Sequence, residues 1–100
     1  MATERCGTQQ VATSVSVAIG LASKPVIVYG LTVLSDGTGG TVTLKDTNNS
    51  GIERARINGA ASVGTVVTFG PYGKFFPSGC FAVVDSHCTF ADFDFVQVTI

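Results

Sequence analysis

The sequence has no tryptophan, one histidine, one methionine and three prolines, and charged residues make up only 13% of it. Roughly a quarter is usual in a soluble domain. So few charges leave Thr, Ser, Gly and apolar groups to form the surface, which fits either a surface that partners cover in part or the neutral surface of a β-sandwich. The formal net charge is −1 and the six basic residues are dispersed. No basic stripe exists to neutralise phosphates, which argues against nucleic acid. Only Arg54 and Arg56 sit close together.

The cysteines number three, Cys6, Cys80 and Cys88. An odd count without a secretory signal is not a disulfide framework. The start, MATERCGTQQ, lacks the basic stretch and apolar run of a signal peptide. The best apolar run, Pro25 to Leu34, is interrupted by Gly30 and Thr32. It falls far short of the roughly 18 residues of a membrane helix, so no membrane is expected.

What the chain has in quantity is Val and Thr, 14 and 12 residues, both strand formers. Hydrophobic residues reach 45%, enough for one core in a domain of this length. From Val11 to Ile19 apolar and small polar residues alternate with period two, which predicts a half-buried strand. Pro25 opens a second strand whose run VIVYGLTVL is apolar on both faces. That pattern fits a central strand or one whose outer face is covered. Gly30 within it predicts a bulge or a close backbone approach.

Asp36 to Gly40 is a glycine-rich turn and TVTLKD alternates again. IERARIN is charged enough to lie at a sheet edge. Strands follow at Val63–Phe69, around Phe75-Phe76, at Cys80–Asp85 and at Thr89–Ile100. In the last, the apolar phase moves from Phe93 and Phe95 to Val96, Val98 and Ile100, which suggests a bulge or a change of sheet. Short strands at this spacing, without any helical period, predict an all-β antiparallel β-sandwich. It is jelly-roll-like or immunoglobulin-like and fills residues 11–100 as one domain. Residues 1–10, polar and aperiodic, read as an extended N-terminal arm.

Candidates for chemistry are few. His87 lies beside Cys88, with Asp85 and Cys80 near the same hairpin. The paired spacing of a zinc site is missing, and sequence neighbours on a strand point to opposite faces. No metal, cofactor or nucleophile–base pair is therefore expected, and no enzymatic activity. Asp92 and Asp94 share one face of the last strand, the ordinary pattern of a solvated face. The aromatics Phe69, Tyr72, Phe75, Phe76 and Phe81 could form a carbohydrate platform, but a small sandwich needs such side chains as core.

Two segments carry a resemblance. In VIVYGLTVLSDGTGGTVTLKDT, the step Val28-Tyr29-Gly30 leads through a glycine-rich turn to Thr41-Val42-Thr43-Leu44 and Asp46. In FGPYGKFFPSGCFAVVD, Pro77 and Gly79 form a turn ahead of a strand. Over roughly residues 25–85 this pattern resembles small virion structural proteins of tailed bacteriophages. The resemblance implies a β-sandwich without enzymatic activity, assembled into a phage head or tail.

The expectation that follows is a head decoration (cement) protein, a homotrimer bound to the major capsid protein. It would be made in the bacterial host cytoplasm and located on the head surface of the virion. The arm, through Thr3, Glu4, Arg5, Gln9 and Gln10, is expected to order against the neighbouring subunit. The alternatives are a tail or fibre component and a carbohydrate-binding module, and an enzyme using His87 is the most distant.

Overall fold

The computed structural model describes the backbone of residues 3–99 and the side chains of residues 7–98. The described residues form nine strands. They are β1 (Thr3–Ala12), β2 (Ser16–Ile19), β3 (Val26–Ser35), β4 (Thr41–Asp46), β5 (Glu53–Asn58), β6 (Gly64–Thr68), β7 (Lys74–Phe76), β8 (Cys80–Val84) and β9 (Cys88–Thr99). All pairings are antiparallel.

Two sheets result. The first, sheet A, has the order β1-β9-β3-β6, with β7 sharing the β6 flank of β3. The second, sheet B, has the order β2-β8-β4-β5. The architecture is the expected β-sandwich.

The core lies between the sheets and follows the alternation. Val26, Val28, Leu31 and Val33 of β3 face Val42 and Leu44 of β4 and Ala82 and Val84 of β8, and all are buried. Phe76 and Phe93 are the largest buried side chains. Each side chain of Val, Leu or Phe size contributes on the order of 1.5–3 kcal/mol when removed from water.

In β3 the inward phase changes between Val28 and Leu31, and Tyr29 is the extra residue that shifts it. A Cβ on Gly30 would lie 2.5 Å from the Val67 carbonyl oxygen. Gly30 therefore serves both a bulge and a close backbone approach, as its place in the sequence predicted.

Three expectations are corrected. The alternation from Val11 to Ile19 is not one strand. Ser14 takes φ 60°, and the chain turns there, leaving sheet A for sheet B. Residues 3–10 are not a free arm but most of β1, paired with β9 from Thr3↔Thr99 to Ala12↔Phe90. Polar strands at an edge carry no alternation to reveal them, because one flank and one face meet water. Finally, the bulge expected near Phe95 is present in the β9–β3 ladder but lies on β3, where Tyr29 is the extra residue, while β9 itself pairs with β1 without interruption through Val96, Gln97 and Val98.

Gln97 takes the inward place and is buried. Its Oε1 accepts from the Leu21 N–H (2.6 Å) and its Nε2 donates to the Pro25 carbonyl (2.6 Å). Gln9 does the same from β1. Its Oε1 accepts from the Gly20 N–H (2.8 Å) and its Nε2 donates to the Ala18 carbonyl (3.0 Å). The two amides fasten the connection that carries the chain from β2 in one sheet to β3 in the other. Among the described residues no buried side-chain nitrogen or oxygen lacks a partner.

Candidate functional site

His87 and Asp85 come together with Asp36 at one end of the sandwich as turn chemistry. Asp36 Oδ1 accepts from the Thr38 N–H (2.8 Å). Asp85 uses one oxygen for the Thr41 N–H (3.0 Å) and the other for the His87 N–H (2.9 Å). His87 Nδ1 lies 3.1 Å from Asp36 Oδ2, with both side chains about half exposed. The Thr38 N–H, and then His87, hold the Asp36 carboxyl below its usual range. These contacts hold two turns against each other. Among the described residues no group of three His, Cys, Asp or Glu converges as metal ligands would.

The thiols of Cys80 and Cys88 are buried and unpaired with each other. The expected hairpin is not formed, because β8 lies in sheet B and β9 in sheet A, and the two thiols sit apart, Cys80 opposite Ile19 and Cys88 opposite Ser35. Burial pushes Cys80 up to about 12, with the Asp46 charge adding to it. Burial, then Asp85, raises Cys88 to about 11. At neutral pH both are protonated, and a thiol rather than a thiolate is a poor nucleophile.

Of the arm residues expected to meet a partner, Thr3, Glu4 and Arg5 lie outside the described side chains. Gln10 is exposed on β1. Gln9 is half-buried with its amide committed within the chain, so it is not free to reach a neighbour.

The features that remain are the outer faces of the sheets. On sheet A the register sets Ile27 between Val96 of β9 and Phe75 of β7. Val98 lies two residues along from Val96 on the same face. Phe75 is 58% exposed and Val66, on the outer side of β6, is 72% exposed. Tyr72, expected in the core, is 87% exposed. Of the aromatics, Phe76 is buried and Phe69 packs against the core. The alternation Lys74-Phe75-Phe76 forces the two phenylalanines to opposite faces, since β7 is a strand. That was legible from period two once β7 was known to be a strand.

Between the apolar ends of this face, β9 presents Asp92 and Asp94. Neither makes an ion pair or side-chain hydrogen bond among the described residues. On the outer face of sheet B, β5 presents Arg54 and Arg56, whose side chains are 51% and 57% exposed. Arg54 pairs with Asp46 (2.7 Å) and Arg56 with Glu53 (2.7 Å). Lys45 of β4 donates to the Asn49 carbonyl (3.0 Å).

No family model and no curated protein matches the chain. Among solved structures it is similar in shape to a protein of the Bacillus endospore appendages, which form a novel family of disulfide-linked pili. The identity is 11% and the TM-score 0.49, over 98% of this chain and 85% of that chain. It is also similar to the virus-like particle protein of the extra small virus of the giant freshwater prawn Macrobrachium rosenbergii. There the identity is 12% and the TM-score 0.43, over 97% of this chain and 78% of that chain. At these identities and scores the two likenesses carry no functional argument.

Proposed function

We propose that this chain is a non-enzymatic structural subunit of a virion, a decoration protein that binds the assembled head of a tailed bacteriophage. One observation carries the reading. The outer face of sheet A gathers Phe75, Val66, Ile27, Val96 and Val98 around only two charged groups among the described residues, Asp92 and Asp94. A monomer with 13% charged residues and such a face gains by having it covered. The virion-protein resemblance across residues 25–85 supports the same assignment. A subunit that binds only the assembled lattice stabilises it by mass action.

The test is to purify phage particles encoding the chain, count its copies by quantitative mass spectrometry, and place it by labelled electron microscopy. Many copies over the head surface are expected. Particles without the chain would sink the proposal, and label confined to the tail would replace the head assignment with a tail component.

A further inference from the structure

The two outer faces of the sandwich carry exposed groups of opposite charge. Asp92 and Asp94 stand two residues apart on β9, about 6.7 Å at the rise of a strand. On β5, Arg56 is opposite Thr43 and Arg54 is the extra residue where the β4–β5 register shifts. We propose that the outer face of sheet A receives the outer face of sheet B of a second copy of this chain, with Arg54 and Arg56 donating to Asp92 and Asp94. This rests on the same outer face of sheet A as the proposed virion role, and the count of copies on particles keeps the failure of one distinguishable from the failure of the other.

The arginines are able to do this without giving up their present partners. A guanidinium has five N–H donors in a planar fork. Arg54 uses its Nε and one Nη on Asp46, and Arg56 uses one Nη on Glu53. Donors therefore remain on both. The carboxylates of Asp92 and Asp94 have no intramolecular partner to lose among the described residues.

Around the charges the two faces also match in kind. Sheet A offers Phe75, Ile27 and Val96, and sheet B offers Phe81 and Val83 of β8, half-buried and turned outward. The molecule measures 46 × 27 × 18 Å, and the short axis is that of two sheets stacked about 10 Å apart.

The symmetry follows from the placement. The two faces lie on opposite sides of one sandwich, so the contact is heterologous, front to back. Such contacts propagate as an open row and do not close at two copies.

The experiment is sedimentation velocity on the purified chain at low ionic strength. The wild type is compared with Asp92→Asn/Asp94→Asn and with Arg54→Gln/Arg56→Gln, each checked for folding by circular dichroism. These are surface changes of nearly constant shape. The wild type should form species larger than a dimer, which dissociate in about 0.5 M salt, where screening reaches within a few ångströms. Each double variant alone should sediment as a monomer.

An equimolar mixture of the two variants should give a dimer and nothing larger, because one intact face remains on each. A monomeric wild type would overturn the proposal and leave another occupant for these faces. So would variants that assemble as the wild type does, or a mixture that stays monomeric. The count of copies on particles is untouched by any of these results.

Discussion

Replacing Gln97 with leucine tests whether a buried amide, rather than apolar packing, holds the connection between the two sheets. The side chain is 2% exposed and makes two short hydrogen bonds, to the Leu21 N–H and the Pro25 carbonyl. Leucine has similar volume and neither polar group. The Pro25 carbonyl keeps the Val98 N–H as a donor (3.1 Å), so its loss is small. The Leu21 N–H keeps no partner, and an orphaned amide costs roughly 1–3 kcal/mol. Leucine returns part of this as added apolar burial, on the order of 1 kcal/mol.

The expected net loss centres on about 1 kcal/mol, a fall in Tm of about 4–8 °C for a domain of this size. Urea unfolding followed by circular dichroism measures it. Gln97→Glu sharpens the test. It keeps the acceptor but turns the donor toward Pro25 into a charged oxygen, so it should be more damaging at neutral pH than near pH 4, where the carboxyl regains a proton to donate. If Gln97→Leu unfolds within about 0.5 kcal/mol of the wild type, the range of an ordinary surface change, the two bonds do not hold the connection.

Other perturbations have defined outcomes. Gly30→Ala places a Cβ 2.5 Å from the Val67 carbonyl oxygen, so it should separate β6 from β3 and lower the urea midpoint, and unchanged amide exchange on β6 would refute it. In a Cys6→Ser background, Cys80 and Cys88 should react with a thiol reagent at pH 8 only as fast as the protein opens, because their raised values keep the thiolate scarce. Rapid labelling without denaturant would contradict that burial. Asp36 has a lowered carboxyl value, so the stability it adds is present above its unfolded value near 3.8 and is lost as pH falls through the folded one. The stability gap between wild type and Asp36→Asn should therefore shrink on going from pH 6 to pH 2, and a gap that widens would reverse the sign.

The strands β3 to β9 were legible because their inner faces are apolar and their breaks are rich in glycine, as at Asp36 to Gly40. The charged β5 could be placed at an edge for the same kind of reason, since Arg54 and Arg56 must face water. What failed was the amino-terminal end. There β1 contributes few apolar side chains, and its stability comes from backbone pairing with β9 and from Gln9, neither of which leaves a periodic signature. The turn at Ser14 was hidden because Ala12, Thr13 and Ser14 continue the alternation of small residues that a strand would show. The outer faces were legible only in part. Asp92 and Asp94 fell on one face by parity, while the exposure of Phe75 depended on which strand its neighbour Phe76 turned toward.

The end of β9 inverts the usual polarity of a sandwich strand, and that inversion joins the two main readings of this structure. Period two in a half-buried strand puts apolar groups inward and polar groups outward. Ala91 and Phe93 obey this, with Asp92 and Asp94 outward. Three residues later Gln97 is inward and Val96 and Val98 are outward. The inward glutamine is explained by the backbone groups of Leu21 and Pro25 that it satisfies. Among the described residues nothing receives the outward valines, and their register neighbours Ile27 and Phe75 face outward as well. Apolar side chains gathered across three strands on an outer face are favourable once another surface excludes water from them, at about 25 cal/mol per Å² covered. The sequence pattern that misled a reading of β9 in isolation is thus the same pattern that gives this face its affinity for a neighbour.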